Sequence, residues 1–429
     1  MSQQEEFVEH KDTYYIYNDT QLTDEMLEEM KNYKKIQLKN DFNQPVDNLP
    51  SGVVQITFGD NFNQPVDNLP SGVEQITFGD NFNQPVDNLP SGVKEITFGT
   101  YFNQPVDNLP YEVRKITFGY FYDRPIDNLP LGLRYLTFGE NFNQSIDNLP
   151  NKLKVINFDR YSYFNQPLCD NLPTDLKNIT FGNDFNQPLC DNLPTGLESL
   201  TFGDNFNQPC DNLPEGLKSL TLGNDFNYPV DKLPVGLQEL TLGNEFNHPI
   251  DNLPAGLKKL VFEISSNFNK KVNNLPNGLQ SIILGDNFNK RVNNLPQSLQ
   301  SIKFGFCFNK SIKNLPDGIK NLKFGYNFNK SIEKLPKELV NLTFGENFNQ
   351  QICDNLPAGL KSIKFGMDFN HPVDNLPVGL KYMHLGVNFN QPLLNLPLGL
   401  KKIDIIRGIS GFGKDEYKNP IINKIYIRR

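Results

Sequence analysis

The residues with the best claim to chemistry in this chain fall into four groups. Gly408, Gly413 and Lys414 have the G-x-x-x-x-G-K spacing of a phosphate-binding loop. The next residue is Asp415, where that loop needs a Ser or Thr hydroxyl for magnesium, and its carboxylate would repel phosphate. The string is therefore read as a C-terminal loop. Lys270, Lys290, Lys310 and Lys330 recur at a constant interval, with Lys271 and Arg291 beside the first two. Stacked cations repel one another unless something anionic approaches, so this stripe is a candidate site for an acidic or polyanionic partner. The competing reading is solvated surface balanced by the acidic column Asp47, Asp67, Asp87 and its equivalents. Thr57, Thr77, Thr97, Thr117 and Thr137 recur in the same way, and Lys303 and Lys323 occupy the same column later in the chain. These outward positions are candidate partner contacts. Cys169, Cys190 and Cys210 each precede an Asp-Asn-Leu-Pro run. They are small core or rim residues, with an oxidisable pair as the alternative.

The interval that governs all these columns is about 20 residues, so the elements that position them must repeat. The motif FNQPVDNLP or a close variant occurs 18 times, with its aromatic at Phe42, Phe62, Phe82, Phe102, Tyr122 and onward to Phe389. Of 31 Pro and 31 Gly, nearly all occupy fixed sites of this unit. The chain of 429 residues is therefore one repeat array rather than the several domains its length suggests. His248 and His371 share one repeat position six turns apart, too far to hold one metal, and no Ser, Cys or His arrangement resembles an activated nucleophile. No enzyme activity, cofactor or metal is expected.

In residues 53–72, Ile56 and Phe58 flank Thr57 in the period-2 pattern of a short strand. Pro65 and Pro70 exclude a regular helix, and Pro70 and Gly72 suit a turn that returns the chain to the next strand. Six apolar residues per unit, Val53, Ile56, Phe58, Phe62, Val66 and Leu69, make a core only when units stack. An Asn follows the aromatic in 17 of 18 turns and another precedes Leu-Pro in 16. Both columns are expected to face inward and satisfy backbone groups of neighbouring turns. Thr23 is expected to cap a short helix from Asp24 to about Tyr33, and residues 13–18 and 421–427 are β-like runs suited to covering open edges.

The unit F-N-x-P-[VIL]-x-N-L-P-x-G-L-x-x-L-x-F-G, with its L-x-x-L-x-F-x-x-N run at Leu197, Leu200, Phe202 and Asn205, resembles the FNIP repeat, a relative of the leucine-rich repeat found in social amoebae and amoeba-infecting giant DNA viruses. The resemblance implies a β-rich, right-handed leucine-rich-repeat-like solenoid of about 18 turns with short parallel strands on one face and few helices. It divides the chain into an N-terminal cap with a short helix (1–33), the solenoid (34–406) and a C-terminal cap (407–429). It also implies a non-enzymatic protein–protein interaction scaffold. Two alternatives stay open: a substrate-recruiting adaptor of a ubiquitin ligase, although residues 1–33 show no F-box start, and a structural, particle-associated repeat protein.

The net charge of −8 argues against a general nucleic-acid binder. No apolar run is long enough to span a membrane, no secretory signal is readable at the N-terminus, and five Cys are too few and odd for a disulfide framework. An intracellular, cytoplasmic monomer is expected, with unidentified protein partners. Charge segregates along the array: residues 42–141 hold 12 acids and 5 bases, net −7, and residues 268–347 hold 5 acids and 12 bases, net +7.

Overall fold

The computed structural model describes residues 12–168, 170–352, 356–406 and the backbone of 425–428. The string 408–414 and residues His10, Cys169 and Cys353 lie outside them. The chain forms two compact units, residues 1–208 and 209–429. Both are parallel β-solenoids, about 19 turns in all, with one short helix among the described residues.

In the first unit β1 (Thr13–Ile16) pairs with β2 (Lys35–Leu38), and β3 (Gln55–Thr57), β4 (Gln75–Thr77), β5 (Glu95–Thr97), β6 (Lys115–Thr117), β7 (Tyr135–Phe138), β8 (Val155–Phe158), β9 (Asn178–Thr180) and β10 (Ser199–Thr201) follow in order, all parallel. The second unit repeats the arrangement with β11 (Ser219–Thr221), β12 (Glu239–Leu242), β13 (Lys259–Phe262), β14 (Ser281–Ile283), β15 (Ser301–Lys303), β16 (Asn321–Lys323), β17 (Asn341–Thr343), β18 (Ser362–Lys364), β19 (Tyr382–Leu385), β20 (Lys402–Ile406) and β21 (Ile425–Arg428). Register is strict: Ile56 faces Ile76 and Thr57 faces Thr77. The helix α1 (Asp24–Met30) is capped by Thr23, whose side chain accepts from the Met26 N–H. It stops at Lys31, short of the expected Tyr33, and Asn32 and Tyr33 close the turn with backbone bonds to Glu29 and Met30.

The six apolar residues of the 53–72 unit are all buried. Two aromatic columns form the spine of the first unit. Phe58, Phe78 and Phe98 directly follow the strands, and Phe62, Phe82 and Phe102 lie further along the loops, each pair within a turn stacking at about 4 Å. Between turns the strand-side rings repeat at 5.6 Å and the loop-side rings at 6.1 Å. Strands themselves are about 4.8 Å apart. Each turn is thus a wedge, narrow at its strand and wider behind it.

The residue after the strand-end aromatic explains the Gly column. A Cβ on Gly99 would overlap the carbonyl of Gly79 one turn below, so only Gly allows this approach. Besides the first turn, which has Lys39 there, two turns escape the rule, with Asp159 and Glu263 in the Gly position. Both carry two extra residues before the loop aromatic, and both bury a serine, Ser162 or Ser266, whose hydroxyl accepts from the Phe164 or Phe268 N–H. In the first of them the extra residues are Arg160 and Tyr161, which stand in solvent.

Candidate functional site

The Asn after each loop aromatic builds a ladder down the back edge. Asn63 N–H donates to Asn43 Oδ1 at 2.9 Å, Asn83 to Asn63 and Asn103 to Asn83 likewise. Asp123 serves as well as Asn, accepting from the Asn143 N–H. The ladder starts on Asp19, whose carboxylate takes Asn43 N–H and Gln44 Nε2, and these bonds hold its pKa below the usual carboxylate value. The second Asn column departs from expectation. It is exposed, and Asn68, Asn88 and Asn108 donate to Asp47, Asp67 and Asp87 of the preceding turn, not to backbone. The wedge explains this: the Asp and Asn lie beyond the buried valine, on the outer rim.

Next to the ladder Asn sits a residue that is usually Gln. Gln64, Gln84 and Gln104 donate back to the preceding Asn, Arg124 does so from Nε, and His248 Nε2 lies 2.8 Å from the Asn227 carbonyl. Four turns of the second unit break this habit with Lys270, Lys290, Lys310 and Lys330, and none of the four makes the bond or any ion pair among the described residues. The proposed counterbalance is also missing from three of them: the acidic column reads Asn273, Asn293 and Lys313 in the first three of these turns, and Glu333 in the fourth. Lys313 pairs with Glu333 and Lys337 with Asp317, whose carboxyl is held low by that lysine, so the nearby acids are engaged elsewhere. Lys271, Lys290, Arg291 and Lys310 converge with Asn273, Asn289 and Asn293 around an open recess of about 410 Å³. Beside it Asn294 takes a left-handed backbone (φ 55°), a conformation Asn tolerates. The neighbouring aromatic column repeats at 6.1 Å, so the lysine stripe is more open than a strand-spaced column.

Lys303 and Lys323 are not part of that recess. They are register partners on β15 and β16, on the strand face, next to the stacked exposed pair Phe306 and Tyr326 (4.8 Å). Thr57, Thr77, Thr97, Thr117 and Thr137 form an in-register, half-buried row on β3 to β7 of the first unit. Charges beside that row pair across turns, Lys94 with Glu74 and Lys115 with Glu95.

Cys210 takes the place of the buried valine, and burial pushes its thiol up to about 12. Such a thiol is a poor nucleophile. Among the described residues no group of three or more His, Cys, Asp or Glu could hold a metal, and no helix is long and apolar enough to cross a membrane.

The sequence reasoning missed a third surface, a cluster of exposed aromatics in the short segment between the strand-end and loop aromatics of the first unit. Its signal was available: Tyr101, Phe121 and Tyr163 stand where neighbouring turns carry Asn or Asp.

This organisation has counterparts. The crystal structure of CroV588, a circular leucine-rich-repeat protein from a giant virus, superposes with a TM-score of 0.85 and 36% identity over 96% of this chain and 68% of that one. YopM from Yersinia enterocolitica shares the fold at 20% identity (TM-score 0.58, 92% of this chain and 87% of that one). So does TLR13, solved as a complex with an RNA (14%, TM-score 0.52, 92% and 67%). Among curated proteins no match was found. The FNIP Repeat pattern matches eleven stretches, 42–81, 62–88, 82–121, 122–161, 164–205, 185–225, 206–245, 267–307, 308–347, 333–368 and 369–407. Since these cover nearly every turn whose Phe stack and Asn ladder are described above, the chain belongs to the FNIP repeat family.

Proposed function

We propose that this protein is a non-catalytic interaction scaffold that holds an extended acidic segment of a partner protein along the lysine edge of its second unit. The repeat family and the leucine-rich-repeat-like fold support a scaffold. One observation carries the finer reading: in four successive turns a ladder-bonding Gln gives way to a Lys that bonds to nothing among the described residues, while in the first three of them the adjacent Asp becomes Asn or Lys and in the fourth Glu333 pairs with Lys313. Neighbouring cations about 6 Å apart repel by roughly 0.7 kcal/mol in water before screening, and each lost hydrogen bond costs about 0.5–1.5 kcal/mol. The stripe therefore weakens the free protein, and an anion would relieve it. An extended peptide places same-side groups about 6.6–6.8 Å apart, within reach of long lysines on a 6.1 Å repeat.

The test replaces Lys270, Lys290, Lys310 and Lys330 together by Gln. Retention on heparin and on an immobilised poly-Glu peptide at low salt should fall, with the far-UV spectrum intact. Unchanged retention on both would refute the site.

A further inference from the structure

The geometry points to a second docking surface, on the first unit, that takes a basic segment of a partner protein, its Lys or Arg side chains laid across an aromatic lip and into an acidic cleft. Three of four consecutive turns carry the lip, with Asn141 standing in the column between Phe121 and Tyr163. Tyr101 and Phe121 stack at 5.1 Å, Tyr120 meets Phe121 edge-on at 4.6 Å, and Tyr161 and Tyr163 continue the row. All five rings are 36–59% exposed. A cluster of this kind is rare on a soluble surface without a partner, and Tyr in particular anchors interfaces at low entropic cost.

The lip is not a by-product of the fold. Backbone bonding places Tyr101, Phe121 and Tyr163 in one column: their N–H groups donate to Asp80, Thr100 and Glu140 carbonyls of the preceding turns. Elsewhere in that column Asn side chains bond turn to turn, as Asn81 does to Asn61 and Asn205 to Asp184. The aromatics give up those bonds and expose apolar surface. Tyr161 is added outright by the two-residue insertion that Ser162 anchors.

The charge around the lip selects the occupant. Beneath it a cleft of about 480 Å³ is bounded by Thr117, Tyr120, Thr137, Glu140, Asp159 and Arg160. Its only base, Arg160, is turned toward Asp204 at 3.8 Å and lies 5.9 Å from the Tyr161 ring. Glu140 takes the Tyr120 hydroxyl and Asp159 accepts from the Tyr161 N–H. Neither has an ion pair among the described residues, so both can still receive a cation, and ring faces beside carboxylates attract Lys and Arg. The block of net charge −7 (residues 42–141) adds long-range attraction for a basic chain. This surface is chemically opposite to the lysine edge and does not depend on it.

The experiment uses the full chain and titration calorimetry with an extended peptide alternating Arg and Ser, and with its Glu counterpart. The Arg peptide should bind and the Glu peptide should not bind at the lip. Tyr101→Asn, Phe121→Asn and Tyr163→Asn together return the column to the residue its neighbours use, so folding is preserved. They should weaken the Arg peptide at least about tenfold. Glu140→Gln with Asp159→Asn, which leaves every ring in place, should also weaken it. An Arg peptide that binds both variants as well as the parent is held by general charge elsewhere and overturns the proposal. So does a failure of the parent to bind, or a lip whose only measurable effect is concentration-dependent self-association lost in the Asn variant.

Discussion

Tyr122 is the only loop aromatic of the spine that carries a hydroxyl, and the hydroxyl has no hydrogen-bond partner among the described residues. The ring is fully buried, 3.8 Å from Phe118 and stacked on Phe102 and Phe142 at 6.1 and 6.2 Å. Burial, then the charge of Asp107, raises its pKa well above the ordinary phenol value, so the group stays neutral and its cost is that of an unsatisfied polar atom. Such an atom costs about 1–3 kcal/mol. Tyr122→Phe keeps every ring contact and removes only the oxygen. It should stabilise the first unit by about 1–2 kcal/mol, a rise in melting temperature of roughly 2–8 °C for a unit of this size. Phe102→Tyr, one turn earlier, should lower stability by a similar amount. Urea unfolding followed by circular dichroism measures both, and equal m-values would show that the unfolded states are comparable. A Tyr122→Phe protein less stable than the parent would mean the hydroxyl is bonded in solution, and the reasoning from burial would fail.

Asn83→Ala removes the acceptor for the Asn103 N–H and for Gln104, and should cost about 1–3 kcal/mol in a urea melt. Asn83→Asp should cost much less, because Asp123 already fills that role. Lys290→Gln should stabilise by about 0.5–1 kcal/mol, by regaining one ladder bond to the preceding turn and removing a repulsive neighbour, while heparin retention drops. His384 lies 3.3 Å from Asp404, yet burial, then Lys364, holds its pKa below 6.5 despite that carboxylate. The unfolded chain therefore protonates more readily. The contribution is complete above about pH 6.5 and is lost as pH falls through the lower folded value. His384→Gln should flatten the stability profile across that window, and a profile unchanged from the parent would refute the assignment.

Most of the fold is legible in the sequence because a 20-residue period leaves little freedom: Ile56, Phe58 and Phe62 must stack on their counterparts or have no core. The Asn after Phe62 is likewise readable, since a tight coil leaves backbone N–H groups that need acceptors. What could not be read is which side of each turn is wide. The second Asn column was expected inside and lies on the rim, because inward and outward positions in the Pro-rich back segment follow neither a helical nor a strand period. The lysine stripe was visible from its spacing. Its lack of counter-charge was not, since the acidic column was assumed to continue where Asn273 and Asn293 replace it. The aromatic lip went unread for a related reason: Tyr101 and Phe121 look like extra core until burial shows them outside.

The repeat supplies its own measure of function. A turn that follows the common pattern is held by its Phe stack, its Asn ladder and its Gln bond, and nothing in that set requires a partner. Lys290 abandons the Gln bond and repels its neighbours; Tyr101 and Phe121 abandon the side-chain bonds of their column and expose rings. Both kinds of departure weaken the isolated coil locally, and both run through consecutive turns, so that the altered side chains form one surface. Random drift in single turns would scatter such residues around the coil. Departures that cost stability and still align in register are better explained by ligands that span several turns, one acidic and one basic. Variants that restore the common residue should therefore gain stability at the same positions where they lose binding.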